Sequence, residues 1–501
     1  MSNKIEMEIK LVINKKNLTK FLAMPLLQSV QVSETSHTSE LLNTYYDTSD
    51  YRLAHAGIAY RIRQKGTSYE ATVKTQGENI GGFAARHEYN QAVEQNKPTL
   101  SGFGDKNLEQ ELQELLAGAE LQPIFTTTTN RQTQNLQITK TTLVEMAIDK
   151  GTITVGKKKV SIDEVELEIL QGNKKDLLTF VAEMAQEVPF TVESKSKFLR
   201  GLELLDGVSG AQETELIVNK NGNVEVELKK IITYYIDSIL TAQNSLEKKN
   251  IEAQADKLLL NNIKRLQAFL QFAAPLMSKE QCRRYGSLTK KLDQLLQNLY
   301  LTKRLQRQWQ QLYKKSNSFL SNSAMSECLL QRQEEQGVAI WQQLSAGFYT
   351  KELLGLMAAL EQDKWPQAKY LQLNQFLVHR YKEWRTQLMG IKVDDGKETA
   401  ELSQQMQNII EELVLIRYAL KIPGLNKDNF AYLKVLVRNL KSLNYDVYGE
   451  KQIVALLQGT NSRVLYRDAG MLLGYRLSEQ PLVWHKVLKN WSKVLQIFKK
   501  K

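Results

Sequence analysis

The run IEMEIKLVI, residues 5–13, alternates apolar and charged side chains along its length. Ile5, Met7, Ile9 and Leu11 fall on one side, and Glu6, Glu8 and Lys10 on the other. Successive side chains of a β-strand point to opposite faces, so the segment reads as a strand with one apolar and one charged face. Two readings follow. The charged face is wet, as on the open side of an antiparallel sheet, or it lines a closed cavity and forms a site for a cation and a polyanion.

Five more segments repeat the pattern. Arg61 and Arg63 flank Ile62, Thr72 and Lys74 flank Val73, and Arg86 and Glu88 flank His87. Glu145 and Asp149 share a face of VEMAID, and Glu164, Glu166 and Glu168 alternate with Val165, Leu167 and Ile169. Closing such strands into a barrel puts the alternating charges inside. An interior of that kind needs counter-ions, because unpaired buried charges are strongly unfavourable. Carboxylates sharing Mg2+ or Mn2+ and an Arg/Lys set holding phosphates would meet that need. On the residues alone, a phosphate-processing tunnel and a wet antiparallel sheet both stand.

The rest of the chain bounds the answer. Its 501 residues exceed what one core normally serves, which predicts two or three domains. The composition, 42% hydrophobic and 24% charged, is that of an ordinary soluble protein. No apolar run approaches the roughly 20 residues that cross a bilayer, so no membrane association is expected. Acidic residues stand where a signal peptide would have its apolar core, and the two cysteines, Cys282 and Cys328, lack zinc-type spacing. A cytoplasmic protein is expected. Residues 1–200 carry 24 basic and 25 acidic side chains, so the excess of the +12 net charge lies in the remainder. That asymmetry points to a polyanionic partner for the second half.

Up to about residue 200 the texture is that of short strands, with helical stretches expected at Asn17–Leu27, Leu108–Ala119 and Lys174–Gln186. Residues 204–223 read as a linker. From Val224 the apolar spacing becomes three and four, as in Leu258, Leu259, Ile263, Leu266, Phe269 and Leu270. Breaks are expected at Pro275, Ser316–Ser323, Pro366, Gly390–Gly396, Pro423–Asn426 and Pro481. The fold class is therefore α+β, with domains at 1–203 and 224–501, the second an all-α bundle of about ten helices.

The first domain resembles the CYTH domain, the triphosphate tunnel metalloenzyme fold. The resemblance rests on ExExK at 6–10, LLNTYYDT at 41–48, YRIR at 60–63, TVK at 72–74, RHE at 86–88, the Glu145/Asp149 strand, ELEI at 166–169 and SKFLRG at 196–201. The whole chain resembles bacterial inorganic triphosphatases that join a CYTH domain to a CHAD domain. This implies an eight-stranded antiparallel tunnel that hydrolyses inorganic triphosphate by in-line attack of a metal-activated water. It also implies metal ligation by Glu6, Glu8, Glu166 and Glu168, and phosphate binding by Lys10, Arg61, Arg63, Lys74, Arg86 and Lys197, with Arg131 a further binder. Asp149, Glu88 and Glu145 would hold a second metal or orient the basic groups. His37, His55 and His87 read as turn or surface residues. There is no GxxxxGK[ST], HExxH or strand-linked GxGxxG, so the main competing phosphate and metal enzymes lack support.

For the helical half the resemblance implies binding of long-chain polyphosphate through basic grooves. NNIKRLQAFLQFAAPL at 261–276 and LVLIRYALKI at 413–422 stand where the family's basic helices are expected, but the first keeps only Lys264 and Arg265, and Arg417 is the only basic residue near the centre of the second. No polyphosphate residues are assigned from sequence. Interleaved aromatics suited to stacking bases are not evident, which weighs against nucleic acid. The alternatives are an organic triphosphate hydrolase or adenylate cyclase of the same fold, and a non-catalytic polyphosphate-binding protein.

Overall fold

A computed structural model describes residues 4–80, 82–205, 216–244, 255–316, 323–345, 347, 349–393, 400–422 and 425–499. The chain divides into two compact units. One comprises Met1–Leu216 with Ile236–Ser245 and Gln343–Asp363, and the other Ile217–Tyr235, Leu246–Gln342 and Lys364–Lys501.

The first unit is built on ten strands: β1 (Lys4–Val12), β2 (His37–Asp47), β3 (Ala59–Lys65), β4 (Ser68–Lys74), β5 (Glu78–Ile80), β6 (Phe83–Val93), β7 (Gln122–Gln137), β8 (Leu143–Val155), β9 (Lys158–Gln171) and β10 (Thr191–Val192). Eight of them close a ring in the order β1-β9-β8-β7-β2-β3-β4-β6, and β1 pairs back to β6. Every pairing is antiparallel. The short β5 and β10 extend β6 and β1 at the seam. Tight turns join β3 to β4 and β8 to β9, with Gly66 and Gly156 at positive φ, where a side chain would be strained.

The barrel is apolar outside and charged inside. Tyr60, Ile62, Ala71 and Val73 on its outer face pack with Leu108, Leu112 and Leu116. Those leucines recur at helical spacing on Lys106–Leu116, a helix started by Asp105, whose carboxylate accepts from the Asn107 and Leu108 amides. Each fully buried leucine contributes about 2 kcal/mol. On the helix Lys174–Glu187, Leu177, Leu178, Val181 and Met184 are fully buried. The helix Thr350–Gln362 packs against it within the same unit. The single helix expected over Asn17–Leu27 is instead two, Lys15–Leu22 and Pro25–Ser29. Pro25 lacks the N–H that would continue the first helix and sits at the start of the second.

The second unit is mostly helical. Helical structure starts at Val224, as the spacing predicts, and among the described residues the following helices include Ala255–Ala273, Lys279–Lys315, Ala400–Ala419, Lys427–Leu457 and Arg463–Lys499. Pro275 lies in a 3-10 turn after Ala273, and the expected stop near residue 390 coincides with the end of Leu373–Gly390. Of the other expected breaks and the linker, residues 206–215, 317–322, 394–396 and 423–424 lie outside the described residues. Pro481 does not break its helix. Buried Leu465, Ala469 and Leu472 before it and Trp484, Val487 and Trp491 after it anchor both halves, so packing overrides the lost backbone hydrogen bond.

Candidate active site

The charged face of the opening strand points inward. A cavity of about 170 Å³ occupies the barrel, and all eight ring strands contribute side chains to its wall. Every site residue expected from the sequence lines it: Glu6, Glu8, Lys10, Arg61, Arg63, Lys74, Arg86, Arg131, Asp149, Glu166, Glu168 and Lys197. His37, His55 and His87 are exposed and do not line it.

The wall is divided by charge. The adjacent strands β1, β9 and β8 supply Glu6, Glu8, Glu166, Glu168, Glu145 and Asp149, whereas β3, β4, β6 and β7 supply Arg61, Arg63, Lys74, Arg86 and Arg131; Lys10 on β1 and Glu88 on β6 are the exceptions. On the acidic arc Glu8 stands directly opposite Glu168, which stands opposite Glu145. Like charges in such a row destabilise a sheet unless a cation intervenes. These hard oxygen donors fit Mg2+ or Mn2+, which prefer carboxylate and water ligands.

Several cations are shared with the acidic arc. Lys10 pairs with Glu8, and Lys74 contacts Glu6 and lies 2.7 Å from Glu88 Oε2. Asn90 holds Glu88 from behind, donating to its Oε1 at 2.8 Å while accepting from Thr72 Oγ1 at 2.8 Å. Arg131 grips Asp149 with two donors at 2.7 and 2.6 Å and also reaches Glu166. Lys197, at the start of the helix Lys197–Leu202, lies 2.7 Å from Asp149 and 2.8 Å from Glu166 and also contacts Glu164.

These contacts set the protonation states. Burial pushes the Glu6 carboxyl up to about 7, with Lys74 opposing it. Burial would also raise Glu8, but Lys10 and Lys74 together hold it below its ordinary value. Glu166 and Asp149 are likewise held down against burial by Lys197 and Arg131. Burial would lower the Lys74 ammonium, yet Glu6 and Glu88 together carry it up to about 12.

Arg61 and Arg63, like Arg86, differ from the cations paired with the acidic arc. Neither forms an ion pair among the described residues, the Arg61 Nε is buried without a hydrogen-bond partner, and Arg63 Nε donates to Asn43 Oδ1 at 3.0 Å. Burial, together with Arg61 and Arg131, lowers the Arg63 guanidinium to about 10. Two half-buried guanidiniums side by side, neither held in an ion pair, call for an anion.

Sequence reasoning missed Asn43, Tyr45 and Thr129 on the wall and Arg200 behind it, and Glu164, expected on the inward charged face with Glu166 and Glu168, does not line the cavity but is held by Arg200 and Lys197. Asn43 and Tyr45 alternate in the quoted stretch at 41–48, and Glu164 shares the period of Glu166, so their faces were readable although their partners were not.

The family model described as the CYTH domain matches residues 4–202. The chain is similar to the inorganic triphosphatase of Haemophilus influenzae, with 36% identity over 161 residues. That match covers 32% of this chain and 44% of the relative, so the chain spans less than half of that protein's length. Among solved structures it is similar to PptA from Streptomyces chartreusis, at 13% identity and TM-score 0.42, covering 54% of this chain and 100% of that one. It is also similar to the Mimivirus capping enzyme triphosphatase, at 12% identity and TM-score 0.25, covering 37% of this chain and 90% of that one. The closed sheet, rather than these distant likenesses, defines the fold.

Proposed function

We propose that this chain, which carries a CYTH domain over residues 4–202, hydrolyses inorganic triphosphate to pyrophosphate and phosphate. The observation that carries the reading is the divided wall, with a carboxylate row on β1, β9 and β8 facing a basic arc that includes two guanidiniums without carboxylate partners. A cavity charged in this way takes up a cation and a polyanion together. The name of the Haemophilus influenzae relative supports inorganic triphosphate over organic triphosphates and over cyclisation of ATP.

Glu6, Glu8, Glu166 and Glu168 would hold Mg2+ or Mn2+, with Asp149 behind them. When bound, the ion supplies charge neutralisation and a more acidic water. Arg61, Arg63 and Arg86 bind the phosphates on the basic arc, and forked guanidiniums fix their orientation. Lys10, Lys74, Arg131 and Lys197 shift part of their contact from carboxylates to phosphate oxygens as charge builds there. A carboxylate of the acidic row orients the attacking water in line with the leaving pyrophosphate.

The helical domain, 224–501, is read as CHAD-like and as a binder of long-chain polyphosphate. In support, Arg265 lies 4.6 Å from the Tyr418 ring, Arg417 lies 5.5 Å and Lys434 5.0 Å from the Phe430 ring, and the two rings meet edge to face. None of the three cations has an ion pair among the described residues, and the Nε atoms of Arg265 and Arg417 are buried without hydrogen-bond partners. No helix among the described residues is long and apolar enough to cross a membrane. We place the protein in the cytoplasm.

The test offers triphosphate, pyrophosphate, ATP, thiamine triphosphate and long-chain polyphosphate with Mg2+ or Mn2+ and measures phosphate release. Triphosphate is expected to turn over fastest. Absence of metal-dependent turnover of every triphosphate would refute the reading.

A further inference from the structure

Glu164 is almost fully buried, carries the same strand period as Glu166, and yet does not line the cavity. With Asp149 and Glu166 it forms a group whose carboxylate oxygens lie within 4.8 Å of one another. The charges around that group are already balanced by protein cations. Arg131 takes Asp149 and Glu166, Lys197 touches all three carboxylates, and Arg200 reaches the second oxygen of Glu164. Asp149 and Glu164 are direct cross-strand partners on β8 and β9, and Arg131 stands opposite Asp149 on β7. The row is therefore fixed by the sheet. Lys197 and Arg200 come from one short helix and sit three residues apart, which puts both on the face turned to Glu164.

We infer that Glu164 and Arg200 are positioning residues that clamp Lys197 in the cavity. Lys197 has a flexible four-carbon stem whose ammonium would otherwise sample many positions. Asp149 and Glu166 pull it from the cavity side, and Glu164 holds it from behind. Arg200 aims Glu164 by occupying its other oxygen. The inference rests on the proposed triphosphatase reading, in which Lys197 meets phosphate oxygens as charge builds. A group held about 1 Å out of place loses on the order of 100-fold in rate.

Three measurements test the clamp. In Glu164→Gln, which keeps the shape and removes the charge, kcat is expected to fall about 10- to 100-fold while KM stays within about threefold. Arg200→Gln should show the same split, and Arg200→Lys should recover at least half of that loss on a logarithmic scale. In a Lys197→Met background, Glu164→Gln should change kcat by less than about twofold, because the group it positions is gone. Tripolyphosphate binding by calorimetry in EDTA gives a readout apart from turnover, and its Kd should stay within about threefold in Glu164→Gln.

Wild-type protein that turns over no triphosphate overturns the proposed function and the clamp together. Wild-type turnover with Glu164→Gln within twofold overturns the clamp alone. So does an equal loss of kcat with and without Lys197, which would mark a structural role. Binding tightened more than tenfold in EDTA would likewise overturn it, by showing that Glu164 only repels the anion. If Glu164→Gln does not fold, the Arg200→Gln and Arg200→Lys pair decides by the presence or absence of rescue.

Discussion

Replacing Lys74 by methionine removes the one ammonium that bridges Glu6 and Glu88, and the loss of stability should depend on pH in a defined direction. The Lys74 side chain is 18% exposed, and its Nζ lies 2.7 Å from Glu88 Oε2 and in contact with Glu6. Without it Glu88 keeps only Arg61 and Asn90 nearby. Removing one partner of a buried ion pair costs about 3 kcal/mol. Glu6 adds the pH-dependent part. Burial raises its folded pKa to about 7, above the ordinary 4.5. Its contribution to stability is therefore greatest below the unfolded value, falls as pH rises, and levels off above about 7 in the wild type. In Lys74→Met the carboxyl loses its main counter-charge and titrates higher still, so the fall continues past pH 7, by up to about 1.4 kcal/mol for each further pH unit. For a unit of this size 1 kcal/mol shifts Tm by about 2–4 °C. Scanning calorimetry should find Tm lower by about 6–12 °C at pH 5.5, and by about 3–6 °C more at pH 8. Equal losses at the two pH values would refute the assignment of Glu6 and Lys74 as a coupled pair, and no loss at either would refute the burial argument.

Glu8→Gln should lower triphosphate turnover by more than about 100-fold at ordinary metal concentrations, with Mg2+ or Mn2+ titrations shifted to higher concentration; near-normal rates at saturating metal would remove Glu8 from the ligand set. Metal uptake should displace the Glu6 proton, so apparent metal affinity measured by calorimetry should rise about fivefold from pH 6 to 7 and about twofold from 7 to 8. A flat profile would show that Glu6 is not a ligand. Arg63→Gln should raise KM for triphosphate by about 10- to 100-fold, the worth of a charged hydrogen-bonded contact, without lowering Tm, because it removes one of two adjacent half-buried guanidiniums that form no ion pair. In the full chain, Arg265→Gln with Arg417→Gln should weaken long-chain polyphosphate retention in a salt-dependent way while leaving triphosphate turnover unchanged; unaltered retention would move that site elsewhere.

The barrel was legible because its strands carry a period of two on both faces. Ile9 and Leu11 are fully buried outside, while Glu6, Glu8 and Lys10 are buried inside, and no helix reproduces that pattern. Which face turned inward was not legible from one strand, since a wet sheet has the same alternation. The ring closure decides it, through the β1–β6 pairing that sets Glu6 opposite Arg86. Partner choice was less readable. Lys197 meets Asp149, Glu164 and Glu166 only because a helix at residue 197 folds back onto β8 and β9, a contact with no local signal. Pro481 misled for a related reason, because propensity marks a break that buried aromatics on the same helix prevent. In the helical unit, the aromatic setting of Arg265 joins helices far apart in sequence and that of Arg417 two successive helices, so neither cation stood out from a solvated helix face.

The most direct measurement follows tripolyphosphate by phosphorus NMR in the presence of the full-length protein, with Mg2+ or Mn2+ and again with excess EDTA. The account predicts one orthophosphate and one pyrophosphate for each triphosphate consumed, with pyrophosphate persisting and no reaction in EDTA. Triphosphate left intact with metal present, or consumed equally well in EDTA, would contradict it.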